Sequence, residues 1–389
     1  MNERYDFDIP DRRRSSGTRK WDELESLFGR DDLAPFWIAD MDFKTSDAVT
    51  RALSGAVNIG VFGYPHLLKR CREATADWLC RRHGYTVDPR TICFMPRVIG
   101  GIALAIHCLT QPGEEIVVQT PVYRPLQSVV EENGRTLRRN PLKFENGRYL
   151  MDLDHLESLF AGGARVFLFC SPHNPVGRVW SREELRDLAQ LCIRYDVRVF
   201  SDEIHQDLIY SDRPHTMLAT VSREMAGRVV TFTAPTKTFN LAGLMVSVAV
   251  LPAGPLLEKY ERTLQRFDIQ VNQLGQLALC AAYRDSDAWL RELLNYLEEN
   301  RAVAELLLRQ KSSAVSMVHP EGTYLYWLDL RNFGCSADEI MARLTREAGI
   351  AVYDGRIFGP EGAGFIRFNA ACPRKFLIEG LERICRSFQ

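Results

Sequence analysis

Five side chains with chemistry to offer stand at intervals along the middle of this chain: Tyr123, Asn174, Asp202, His205 and Lys237. Each follows a short apolar run, and each has a bland reading taken singly. A tyrosine packs cores, an asparagine before Pro175 makes turns, an aspartate caps helices, and a lysine at a strand mouth is usually a solvated charge. Together they supply what one cofactor demands. Pyridoxal phosphate needs an amine to condense with its aldehyde, a carboxylate to keep its ring nitrogen protonated and a flat surface against its ring. It also needs a donor at its phenolate oxygen and an anion site for its phosphate. Lys237 offers the amine and Asp202 the carboxylate, since a nearby negative charge favours a cationic ring nitrogen. Tyr123 offers the flat face, and Asn174 and His205 can reach the phenolate. The phosphate can rest on backbone N–H groups of Val98 and Ile99, where a helix opens after Pro96.

The elements that must hold these residues are legible around them. Short, continuously apolar runs at Thr91–Phe94, Glu115–Gln119, Arg165–Cys170, Arg198–Ser201, Arg228–Phe232 and Met245–Val250 suit strands buried on both faces. Helical spacing marks Thr45–Val57, Leu67–His83, Val98–Leu109 and Ser181–Tyr195, the last with an S-x-x-E capping box at Ser181 and Glu184. This alternation predicts an α/β fold, a doubly wound and mainly parallel sheet, and in such sheets ligands sit at the carboxyl ends of strands. Beyond about residue 255 amphipathic helices dominate: Leu256–Phe267, Leu274–Tyr283, Ala288–Gln310 and Ser336–Ala348, interrupted by extended runs at Thr323–Asp329 and Gly364–Asn369. That texture predicts a smaller α+β cap packed on the sheet, with the site in the cleft between them.

Composition narrows the rest. The chain has 389 residues, 46% hydrophobic and 25% charged, with a net charge of −1, which argues against nucleic acid or an anionic membrane as partner. Ten scattered cysteines with no C-x-x-C pair fit a reducing compartment. Neither an apolar leader nor an apolar run near eighteen residues is found, so the expected address is the cytoplasm. Residues Met1–Lys20 read as an irregular, solvated arm in which aspartates offset Arg12–Arg14. Asp202, Glu203, His205 and Asp207 could be read as a metal cluster, but strand alternation spreads them over two faces; no metal is expected.

The motifs SPHNPVG (171–177), SDEIH (201–205), TKTFNLAG (236–243) and FIRFNAACPR (365–374) resemble those of the aspartate-aminotransferase superfamily, fold type I of the pyridoxal-phosphate enzymes. WIADMDF (37–43), FGYP (62–65), SDEIH and the closing NAACPR are similar to the MalY/PatB-type cystathionine β-lyases, or C–S lyases, and the resemblance covers nearly the whole chain. It implies a homodimer, a large cofactor-binding domain over 46–285, and a small domain built from 1–45 and 286–389. It further implies that Thr236 joins the cofactor-binding set and that Arg367, with Asn174 and the Ala39 backbone, binds the substrate α-carboxylate. Tyr64 would reach the neighbouring subunit's cofactor as a catalytic group. Arg367 lies in an apolar run, where a guanidinium needs an anion; a substrate carboxylate fits that fork, and so would an internal salt bridge.

The expected activity is β-elimination from cystathionine or a related L-cysteine S-conjugate, giving thiol, pyruvate and ammonia. An aminotransferase acting between an L-amino acid and a 2-oxo acid uses the same residues. A cofactor-binding protein with a regulatory partner is the third reading. The chain departs from the broad aminotransferase pattern at His205, where tyrosine is usual, at Val176, and in lacking an arginine after Lys237 at the usual phosphate spacing. Arg97, just before the phosphate-binding amides, is expected to supply that cation or to read a second acidic group on the substrate.

Overall fold

The computed structural model describes residues 5–9 and 13–388. Seven strands form the main sheet: β1 (Ile92–Met95), β2 (Glu115–Thr120), β3 (Thr136–Pro141), β4 (Val166–Cys170), β5 (Arg198–Asp202), β6 (Val229–Thr233) and β7 (Ser247–Val250). Their order is β1-β7-β6-β5-β4-β2-β3. All pairings are parallel except those of β7, which runs antiparallel to both β1 and β6. The expectation of a mainly parallel, doubly wound sheet is met. Strands β4 and β6 are buried at every position, and separate apolar clusters cover the two faces of the sheet.

Helix α1 (Asp47–Ile59), α2 (Leu68–His83) and α3 (Val98–Leu109) fall where their periodicity placed them. The capping box on α4 (Arg182–Arg194) is formed: Ser181 Oγ accepts the Glu184 amide at 3.2 Å, and the Glu184 carboxylate accepts the Ser181 amide at 2.8 Å. Gly101 lets α3 lie close on the sheet, because a Cβ there would overlap Met95 Sδ. Edge strand β3, TLRRNP, was not read from the sequence. It is polar and largely exposed, and carries no apolar run.

The second unit is a four-stranded sheet of β8 (Ser316–Val318), β9 (Leu325–Asp329), β10 (Tyr353–Asp354) and β11 (Phe365–Asn369), ordered β8-β9-β11-β10. Arg367 on β11 faces Trp327 on β9 and Tyr353 on β10. Helices α5 (Asp287–Lys311) and α6 (Arg374–Ser387) pack together in this region, and α6 was not anticipated. The chain near the start joins in, since Ala34–Pro35 pairs in parallel with Ile350–Ala351.

The N-terminal segment corrects an expectation. Where it is described most of it is exposed, but it is anchored by Phe7, Arg13 and Lys20 and is not a free arm. Phe7 sits in the core against Phe43 and Trp289, and Lys20 is buried on Asp42 at 2.6 Å. Arg13 bridges Asp40 at 2.7 Å and Asp42 at 3.1 Å. The segment reads as solvated because the partners of Arg13 and Lys20 lie 22 to 29 residues away in sequence and become neighbours only on folding. Arg12 lies outside the described residues.

Candidate active site

Parallel strands deliver their carboxyl ends to one edge of the sheet, and the predicted residues gather there. Tyr123 follows β2, Asn174 follows β4, Asp202 ends β5, and His205 comes one turn later. Lys237 sits in a single helical turn, Pro235–Thr238, immediately after β6. Arg367 arrives from β11 of the small sheet. Its guanidinium donates to Asn174 Oδ1 at 3.1 Å and to the Trp37 carbonyl at 2.9 Å. The strap 35–43 crosses between the two sheets and completes the cleft. Lys237 Nζ donates to the Ala39 carbonyl at 2.5 Å, and the Tyr324 hydroxyl donates to the same oxygen at 3.2 Å.

Two asparagines hold the strap, and sequence reasoning missed both. Asn240 accepts the Met41 amide at 3.0 Å and donates to the carbonyls of Met41 and Phe43, each at 2.9 Å. Asn369 donates to the Ile38 and Asp40 carbonyls, each at 2.6 Å. Their shared signal was the Phe-Asn pair that recurs in TKTFN and FIRFN. A third layer lies beneath the lysine. Asp207 accepts from Thr238 Oγ1 at 2.8 Å and Trp78 Nε1 at 3.1 Å, and lies 2.7 Å from His83 Nε2.

The electrostatics are those of a site built for charges it does not itself supply. Burial and the nearby Arg367 pull Lys237 down to about 8, against the attraction of Asp40 and Asp202. Burial lifts Asp202 to about 7; its one hydrogen bond is from the Ile204 amide at 3.2 Å. Burial, with Lys237 and Arg367 close by, holds His205 well below the usual imidazole value, so its ring is neutral, and Nδ1 has no partner. Arg367 is buried, its Nε is unpartnered, and its guanidinium lies 5.0 Å from the ring centres of both Tyr353 and Phe358. Among the described residues no carboxylate lies within ion-pair distance of it, which removes the internal salt bridge as its explanation. A buried guanidinium left this way is strongly destabilising unless an anion arrives.

The four acidic and histidine residues once grouped as a metal cluster go separate ways. Glu203 lies 2.9 Å from His215 Nε2 and accepts from Ser201 Oγ, Asp207 engages His83, and only Asp202 and His205 face the cleft. Val98 and Ile99 open α3 behind an extended Arg97, with no side chain capping the turn, so their amides are free to take an anion. Thr236 precedes Lys237 in the same turn, its carbonyl accepting the Leu241 amide at 2.9 Å. Tyr64 does not join this group. It stands fully exposed on a separate cavity of about 630 Å3, walled by Phe62, Pro65 and the start of the helix Gln273–Asp285.

A doubly wound sheet with a lysine, an aspartate and a helix N-terminus at its carboxyl edge, closed by an arginine from a smaller sheet, defines the class. The chain belongs to the aminotransferase class I and II family, which it matches over residues 37–384. It is 39% identical over 380 residues to the cystathionine beta-lyase PatB of Bacillus subtilis, covering 97% of this chain and 98% of that one. It is 32% identical to protein MalY of Escherichia coli, covering 99% of each. Among solved structures it superposes on cystalysin from Treponema denticola, which contains pyridoxal 5'-phosphate, with a TM-score of 0.95 at 29% identity over 98% of each chain. The fold type I architecture and the MalY/PatB-type subgroup expected from the motifs are thereby borne out.

Proposed function

We propose that this protein is a pyridoxal-5'-phosphate-dependent carbon–sulfur β-lyase that cleaves cystathionine or related L-cysteine S-conjugates to thiol, pyruvate and ammonia. The observation that carries the reading is the cleft's set of unmet charges: a buried arginine without a carboxylate, a buried aspartate with no ion-pair partner, and a lysine whose pKa burial lowers to about 8. Relatives at 32–39% identity over nearly their whole length carry the lyase choice.

The cofactor, when bound, supplies an aldehyde for the substrate amine and a cationic ring that withdraws electrons from Cα. Lys237 and Thr236, the Val98 and Ile99 amides, Tyr123, Asn174, Asp202 and His205 would hold it. Asp202 keeps a positive charge on the ring nitrogen, while neutral His205 and Asn174 can donate near the phenolate. Arg367 orients the substrate by its α-carboxylate, with the Ala39 carbonyl beside it. Lys237 Nζ, its pKa lowered to about 8, takes the Cα proton as general base. The burial-driven shift matters here: at its ordinary value a lysine is free amine in only about one molecule in three thousand at pH 7, against about one in ten at a value of about 8.

The division that goes with this reading puts 46–285 in a cofactor-binding unit and 1–45 with 286–389 in a smaller one, and the two separate sheets support it. The assembly is a homodimer in which Tyr64 serves the neighbouring site. Its support is the exposed apolar run Val57, Ile59, Val61 and Phe62 beside Tyr64. A cytoplasmic address rests on ten unpaired cysteines; no helix among the described residues is long and apolar enough to cross a membrane.

The deciding assay follows visible absorbance of the loaded protein with L-cystathionine, measuring pyruvate and free thiol together. Both products without added oxo acid are the expected result. Conversion to the pyridoxamine form with neither product would establish the aminotransferase instead, and cofactor binding with no turnover of any amino acid would leave the regulatory reading.

A further inference from the structure

Two cysteines far apart in sequence meet between helices that no step above uses. Cys71, in the first turns of α2, and Cys280, in the helix Gln273–Asp285, are both buried, with their Sγ atoms 3.3 Å apart. The two helices pack directly against each other, and Ala74 on one and Ala278 and Ala281 on the other lie in the same apolar cluster. Cys280 also lines a cavity of about 220 Å3, together with Leu67, Arg70 and Asp285. That opening gives a small molecule a route to Cys280, whereas Cys71 lies behind it.

The charges around the pair make its members unequal. Either thiol can donate across the pair, and Cys71 Sγ also lies 3.5 Å from the Gln276 carbonyl. With Cys71 as the donor, and with the guanidiniums of Arg284 and Arg70 adding to this, Cys280 is drawn below the ordinary thiol value against its burial. Cys71 is pushed up by the same contact and by burial. A cysteine that lines a cavity and whose thiolate form is favoured, with a second thiol beside it, is the arrangement of an attacking and a resolving cysteine.

We propose that Cys71 and Cys280 form a reversible intramolecular disulfide, with Cys280 as the sulfur that reacts first with a peroxide. The Cys280 thiolate attacks one peroxide oxygen; the O–O bond breaks, a sulfenic acid forms, and the departing hydroxide takes a proton to become water. Cys71 sulfur then attacks Cys280 sulfur, the S–O bond breaks, and the proton lost by Cys71 leaves with that oxygen as a second water. The two sulfurs lose two electrons in all, and the peroxide is reduced to water. An external thiol reverses the bond by exchange.

The bond has a mechanical consequence. Leu68 begins α2 directly after the loop that carries Tyr64, and Gln273 begins the other helix at the opposite wall of the same 630 Å3 cavity. Joining the helices one to two turns downstream pins those two walls together. The site does not depend on the lyase reading, because its test reads peptide masses rather than turnover.

The cofactor-loaded protein is treated with hydrogen peroxide at one equivalent per chain, alkylated, digested and analysed by mass spectrometry. The expected product joins the Cys71 and Cys280 peptides, short of two hydrogens, and is lost on treatment with dithiothreitol. In Cys71→Ser, dimedone should trap a sulfenic acid on Cys280; in Cys280→Ser no trapping should occur at Cys71. Amide exchange over residues 68–71 should slow in the oxidised wild type and recover on reduction. Oxidation of exposed Cys80 with Cys71 and Cys280 both still free would overturn the site. Trapping on Cys71 would overturn the order of attack, and unchanged exchange in cross-linked protein would overturn the pinning.

Discussion

At Arg367 a guanidinium is fixed by Asn174 and the Trp37 carbonyl but given no counter-charge, so the substrate α-carboxylate is its proposed partner. Arg367→Ala should raise KM for cystathionine by about two orders of magnitude, from the roughly 3 kcal/mol that a buried, hydrogen-bonded charge pair loses on truncation. The visible band of the bound cofactor should persist, which separates lost substrate binding from lost folding. Lys237 and Asp202 set a pH dependence. Lys237 reacts with an aldehyde only as the free amine, and Asp202 pairs with a cationic ring only when ionised. Their values of about 8 and about 7 therefore both favour cofactor capture as pH rises. Stopped-flow capture of pyridoxal phosphate by the cofactor-free protein should speed up from pH 6 to pH 9, and Asp202→Asn should remove the lower of the two transitions. Arg97 is exposed at the head of α3 and caps nothing with its side chain. Arg97→Ser should weaken cofactor retention or the binding of substrates with a distal carboxylate; no change in either would end its assignment.

At the scale of the element, the strap 35–43 is the part whose position decides the site, since it presents the Trp37 and Ala39 carbonyls to Arg367 and Lys237. The strap is anchored on its far side by Asp42, which accepts from Lys20 Nζ at 2.6 Å, Trp21 Nε1 at 3.2 Å and Arg13 at 3.1 Å. Asp42→Ala leaves buried Lys20 only the Asp40 carboxylate at 3.6 Å and the Asp40 carbonyl at 3.3 Å, and should cost about 3 kcal/mol in urea unfolding. Ser181→Ala, by contrast, removes only a helix cap remote from the cleft and should cost about 1 kcal/mol with kcat unchanged. The contrast tests whether the anchored N-terminal segment serves the site or only the fold. The helix α4 cap was legible because its signal is four residues long. The Asp42 cluster was not, because its partners become neighbours only when the first twenty residues fold back on the strap.

The whole molecule raises the question of what covers Val57, Ile59, Val61 and Phe62, all more than half exposed beside a fully exposed Tyr64. If a second copy does, the active sites are shared between chains. Mixing Lys237→Ala with Tyr64→Ala protein, each inactive alone, should then restore roughly a quarter of wild-type turnover, because a two-fold hybrid carries one intact site. No recovery on mixing would place Tyr64 outside the reaction. Ile59→Asp should shift the protein to the monomer in sedimentation.

The sequence by itself determined the sheet, its strand-end residues and their chemistry. Buried parallel strands leave continuous apolar runs, and the residues that terminate them, Tyr123, Asn174, Asp202 and Lys237, are read directly from where those runs stop. It determined that Arg367 would be buried, from the apolar residues on either side. Tertiary structure alone decided that Arg367 has no internal carboxylate, that Asn240 and Asn369 tie down the strap, and that Arg13 and Lys20 of the N-terminal segment are paired on Asp40 and Asp42. It alone brought Cys71 to Cys280 across 209 positions. The physical reason is common to all four: each depends on which segments distant in the chain meet, set by how two sheets and their helices close on one another, and local periodicity carries no record of such closures.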